Sequence, residues 1–155
     1  MNSTDFLQDS VFLKELDNLR IKEQYVRLTI LTWREEPIVE IQGKATSGSL
    51  NLDGNSSLRR TSNFSMFAEE QENDLTNIDQ NLSINRKLKL ELGFKNEINP
   101  KYGDIVWFPL GIFVIAEVSL SHQNSGVTIN ISLKDKMCLL NGDLGGVIPA
   151  AVTFS

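Results

Sequence analysis

One cysteine and one histidine stand among the 155 residues of this chain, and those two scarcities remove several chemistries at once. Cys138 alone closes no disulfide within one chain and builds no cysteine-based metal cluster, so in the apolar run MCLL it reads as a packing residue. His122 alone makes neither a catalytic triad nor a multi-histidine metal site, and its neighbours Gln123 and Asn124 mark a turn. Basic residues are also outnumbered: 15 Lys and Arg face 20 Asp and Glu, a net charge of −5. Such a domain is not drawn to phosphate backbones or anionic lipid. The longest apolar run, 105–116, is interrupted by Pro109 and falls short of the roughly twenty residues of a spanning helix. MNSTDFLQDS has no basic stretch followed by a hydrophobic one, which points to synthesis and folding in a reducing cytoplasm.

Recognisable catalytic patterns are missing too. Glu35 and Glu36 are neighbours in a turn, and the acids of residues 69–79 fall in an expected loop, so no carboxylate pair is visibly set across a cleft. That acidic stretch lacks the Asp-x-Asp-x-Asp-Gly spacing of a calcium loop. GDLGGVIP has glycines but no Gly-Lys pattern leading from a strand into a helix, so it reads as a connector rather than a phosphate loop. No catalytic residue, cofactor or metal is expected, and the chain is not read as an enzyme.

What is present is a globular composition, 41% hydrophobic and 23% charged, in a length that suits one core. Residues 4–23 predict an amphipathic helix: Thr4 is placed to cap it, and Phe12, Leu16 and Leu19 recur at helical spacing, with Leu13 widening the stripe. That face lies either on an open end of the domain or on a neighbouring subunit. From residue 25 the period drops to two. Strands are expected in YVRLTIL, IVEIQG, GSLNL, RRTSNFSMFAE, RKLKLELGFK and GVTINISLKD, separated by turns at REEP, DGNSS, NEINPKYGD and HQNSG. KDKMCLLNG predicts one or two helical turns ended by Gly142. The organisation is therefore an arm over 1–24, a β-barrel or sandwich over 25–142 and an extended segment over 143–155.

GDIVWFPLGIFVI, residues 103–115, has too many consecutive apolar side chains for a strand with one wet face. It predicts a central segment buried on both faces, divided into two strands by a bulge or bend at Pro109 and Gly111. The closing AAVTFS is apolar and extended, and such a segment pairs with something in this domain or another chain.

Taken in order, SGSLNLDGNSSLRRT, the charged loop, KLKLELGF, WFPLGIFVI and LKDKMCLLNGDLGGVIP resemble the N-terminal domain of tail and baseplate hub proteins of tailed bacteriophages, over roughly residues 25–150. The resemblance implies an antiparallel β-barrel or sandwich of the tail-tube type in a symmetric ring, a trimer or hexamer, among other tail and baseplate proteins of the virion. DNA would pass through the ring without being specifically bound, no membrane would be involved, and the negative balance would let DNA slide rather than adhere. Members of that family are often longer, which implies a C-terminal part that either is absent here or belongs to another polypeptide. Contacts between subunits are expected from Phe12, Leu16 and Leu19 of the helix, from Arg59 and Arg60, and from Leu144 and Val147. The alternative is a non-catalytic carbohydrate-binding β-sandwich of a phage or cell-surface protein, with Trp33, Tyr102 and Trp107 as its aromatic platform.

Overall fold

Strict alternation in residues 87–95 sends Leu88, Leu90 and Leu92 to one side of a strand and Lys87, Lys89 and Glu91 to the other. A wall with one dry side must stack or curl to hide it. The computed structural model, which describes residues 5–18, 23–69 and 81–140, shows it curled. Six antiparallel strands, β1 (Gln24–Leu31), β2 (Pro37–Leu52), β3 (Arg60–Glu69), β4 (Lys87–Lys95), β5 (Ile105–Gln123) and β6 (Gly126–Asp135), close a barrel in the order β1-β2-β3-β6-β5-β4. Its interior is filled by Leu28, Ile30, Ile41, Met66, Leu88, Phe113, Ile115, Ile129 and Leu133, all at most 1% exposed.

One barrel mouth is plugged by the N-terminal arm. The 3-10 turn Asp5–Gln8 and helix α1 (Ser10–Asn18) bring Phe6, Phe12 and Leu16 against Val106, with Phe94, Phe108 and Tyr102 around them. The rings meet edge to face, Phe6 at 5.0 Å from Phe108 and Phe12 at 4.8 Å from Tyr102, the arrangement that aromatic quadrupoles favour. Asp9 pins the plug: its carboxylate accepts from the backbone N–H of Val11 and Phe12 and from the Tyr102 hydroxyl. The helix therefore starts at Ser10 behind an Asp9 cap, shorter than the expected 4–23; Thr4 and Leu19 lie outside the described residues. The stripe of Phe12 and Leu16 rests on its own domain.

Two further expectations are corrected. IVEIQG and GSLNL are one sixteen-residue strand, β2, because the irregularity between Ala45 and Ser47 shifts the alternation without ending the ladder. Gly43 lets β2 lie tight on β3 there, since a Cβ on it would collide with the Phe67 carbonyl oxygen. Likewise 105–123 is a single strand: Leu110 is bulged out, Gly111 takes φ +127°, and the ladder continues.

Burial on both faces holds fully only at Phe113, Val114 and Ile115. Phe113 and Ile115 face the core, while Val114 faces out in a region where the 3-10 turn Lys136–Leu139 lies against β5. Trp107 is instead half-buried on the outside, against Gly93 and under the Arg27 guanidinium at 4.4 Å. Leu82, at the end of the acidic stretch expected to be a solvated loop, belongs to the core at 4% exposure.

Candidate assembly interface

The barrel closes with a stagger that leaves its longest strands only partly paired. Residues 37–44 of β2 pair with β1, but residues 47–52 pair only with β3. Residues 105–114 of β5 pair with β4, but residues 117–123 pair only with β6. The strands β2-β3-β6-β5 therefore form a four-stranded sheet with, among the described residues, an open edge on each flank. An open edge presents a row of backbone N–H and C=O groups that another strand satisfies.

The inner side of this sheet carries Phe64, Met66, Ile129 and Ile131 and belongs to the core. Its outer side is different. Cross-strand rows run Ser49, Asn63, Ser132, Glu117 and, one step along, Ser47, Ser65, Asn130, Ser119. They line a shallow hollow of about 550 Å³. The second row is tied laterally: the Ser65 hydroxyl donates to Asn130 Oδ1, and Asn130 Nδ2 donates to the Ser119 hydroxyl. Eight neighbouring positions thus hold one charge, the carboxylate of Glu117, and no lysine or arginine. Leu52 belongs to the inner alternation yet is 67% exposed, because it reaches past the last strand that could cover it.

Where this sheet turns into the rest of the barrel, Arg60 forms a latch. Counting by twos from Phe64 points Arg60 inward. Its Nε donates to Asp135 at 2.8 Å, Nη1 reaches the Leu110 carbonyl at 3.5 Å, and the guanidinium lies 5.2 Å above the Phe113 ring. Gly111 makes room, since a Cβ there would run into Arg60 Nη1. Alanine at Gly111 adds that clash to an unfavourable positive φ and is expected to cost about 1–3 kcal/mol of stability, read by denaturant unfolding. A loss within error would mean that the latch is slack.

Asp135 is held below the usual carboxylate range: burial works against its charge, but hydrogen bonds from Arg60 and the Met137 N–H outweigh it. Glu91 behaves alike, with burial opposed by Arg27 and Lys89. Carboxyls whose pKa falls on folding stabilise the fold above their unfolded pKa, about 4, and that contribution is lost as pH drops through the lowered value. Stability should therefore be flat between about pH 5 and 7 and fall below about pH 4. Asp135→Asn should show a shallower acid limb; identical limbs would remove the pair from this account.

The residues expected to form subunit contacts are scattered by the fold. Phe12 and Leu16 lie in the mouth plug, Arg59 is exposed in the turn before β3, and Arg60 is turned inward to Asp135. Leu19, Leu144 and Val147 lie outside the described residues. The aromatic platform is not assembled: Tyr102 packs in the plug, Trp107 is capped by Arg27, and Trp33 stands 76% exposed in the turn between β1 and β2. Sequence reasoning missed the open edges and the serine and asparagine rows, although the run of small polar residues at 47, 49, 63, 65, 119, 130 and 132 is visible as outward alternation.

No family model matches the chain, and no curated protein matches its sequence. Among solved structures, it is similar to a chain in the structure of the Francisella PdpA-VgrG complex, half-lidded, with 10% sequence identity and a TM-score of 0.41. The match covers 85% of this chain and 21% of that one, so the present chain spans about a fifth of that chain's length.

Proposed function

We propose that this chain is a structural, non-catalytic subunit of a tail-like assembly, built into a ring by pairing of its two open edges around a central channel. The observation that carries this is the four-stranded sheet with an open edge on each flank. Four is an even number of antiparallel strands, so β5 of one copy and β2 of the next run in opposite directions when copies repeat around an axis lying roughly along the strands. Each junction then continues the antiparallel alternation, and the same contact repeats until the ring closes.

The two edges also match in chemistry. On β2 they offer Ser47, Ser49 and Asn51 outward and Leu50 and Leu52 inward; on β5, Glu117, Ser119 and Ser121 outward and Val118 and Leu120 inward. Pairing them extends the polar rows and covers Leu52. At a strand spacing of about 4.8 Å, three copies close about twelve strands, roughly 18 Å across between backbones, and six close about 24 strands, roughly 37 Å across. Only the larger ring leaves a wide bore once side chains are counted, so the hexamer is favoured.

The two polar rows hold serine, asparagine and one carboxylate per copy, and the other outward charges of β3 and β6, Glu69 and Lys134, leave no excess of cations for phosphates, the groups from which non-specific nucleic-acid affinity arises. A polyanion would pass through such a bore without adhering. This agrees with the sequence resemblance to phage tail and baseplate hub domains, on which the subunit belongs to a virion tail. Mass photometry and negative-stain imaging of the purified chain, alone and with its neighbouring tail proteins, are expected to show a closed ring with one repeat per copy. A chain that stays monomeric at about 0.1 mM and joins no tail particle would overturn the proposal.

A further inference from the structure

Beyond the edges, the large exposed apolar side chains gather at the two ends of the β1 and β4 pair. At one end, the outer side of the plug shows Leu7 at 41% and Val11 at 64% exposure. At the other, Trp33, Ile84, Met137 and Leu140 are 76%, 57%, 44% and 49% exposed. Eight residues of β1 separate the two ends, about 25 Å. The second end is a groove of about 500 Å³ whose apolar lining is Leu31, Trp33, Ile84 and Leu139.

The charges around the two surfaces are opposite in balance. Residues 9–18 hold Asp9, Glu15 and Asp17 against Lys14 alone. Around the groove stand Arg34, Arg86, Lys87 and Lys136 against Glu35 and Glu36. Glu35 is already taken, accepting from Lys87 at 3.2 Å and from Lys136 at 2.9 Å. That pairing engages the two lysines as well, so the rim's basic character is the net count, four cations against two carboxylates, with Arg34 and Arg86 outside the pairing.

We infer that the groove receives the N-terminal arm of a second copy of this chain, by the side that exposes Leu7 of the 3-10 turn and Val11 of helix α1. An apolar ridge flanked by carboxylates then meets an apolar slot flanked by cations, and Glu15, one turn after Val11 on the exposed side, faces the rim. The surfaces that meet are different patches of the chain, so the contact is head-to-tail and leaves a free ridge and a free groove at the ends of every pair. It uses neither open edge and is independent of ring closure.

Paired cysteines test this. Val11 and Ile84 are both exposed, so Val11→Cys and Ile84→Cys leave the fold intact, and the native Cys138 is fully buried. Under mild oxidation the doubly substituted chain is expected to give a ladder of disulfide-linked dimers, trimers and longer species. A mixture of the two single variants should give heterodimers only. Glu15→Lys should slow cross-linking about tenfold at low salt, with the effect shrinking as ionic strength rises.

The ladder should persist when Leu52→Lys is added to block the edges, so that failure of the ring and failure of this contact are told apart. No ladder at about 0.1 mM protein, with or without rings, overturns the inference. So does an Ile84→Cys thiol that resists a maleimide in the monomer, for then a segment of the same chain fills the groove.

Discussion

Phe113→Ala should destabilise the chain by about 3–5 kcal/mol, the range for emptying an aromatic from a closed core, and lower its melting temperature by roughly 10 °C. Phe113 is 0% exposed and stands in both ladders of β5, opposite Leu88 of β4 and opposite Asp135 of β6. Its ring also floors the Arg60 guanidinium. Alanine therefore leaves a void under the latch as well as between the two halves of the barrel, and few neighbours are free to collapse into it. Urea unfolding of Phe113→Ala beside Leu52→Ala gives the comparison, since Leu52 is mostly exposed and its loss should fall within about 0.5 kcal/mol. A Phe113→Ala cost below about 1.5 kcal/mol would mean that the barrel is not packed around this residue.

The largest effect on assembly is expected from Leu52→Lys. In the free subunit the side chain is in water, so the monomer should keep its stability within about 0.5 kcal/mol. In the ring it would be drawn into the apolar side of the junction between β2 and the neighbouring β5, where an unpaired ammonium is costly. Inward-pointing charge is also a device by which natural sheets keep their edges from pairing. Each junction should weaken by roughly a hundredfold, and since every copy carries the change, closed rings should vanish from images while the circular dichroism spectrum stays native. Rings that survive the Leu52→Lys change in every copy would show that the edges are not the contact.

Much of the barrel is legible in the residues themselves. The alternations at 60–68, 87–95 and 127–133 mark strands with one buried face, and turn chemistry separates them. What fails to read does so for identifiable reasons. An alternation that slips by one residue looks like two strands, which is why Lys44–Ser47 hides the continuity of β2. Arg59 and Arg60 read as a pair, although parity with Phe64 and Met66 already turns Arg60 inward and Arg59 away. The excess of apolar residues in 105–115 suggests burial on both faces, whereas a cation above Trp107 and aromatics from the arm against Val106 and Phe108 account for part of it. The open edges depend on how far each strand outruns its neighbour, a property of register between segments distant in sequence, and no single segment carries it.

The double membership of β5 has a mechanical consequence. Its first half is laced to β4, its second half to β6, and Phe113 sits where the two ladders overlap. Sliding this strand lengthwise would have to shear bonds along its whole length instead of opening one pair after another, so a pull delivered at residues 117–123 by an adjoining subunit would be resisted first by the β6 ladder and then, past Phe113, by the β4 ladder. A tube made of such units would behave as a stiff rod under load and yield abruptly, by whole subunits, when it yields at all.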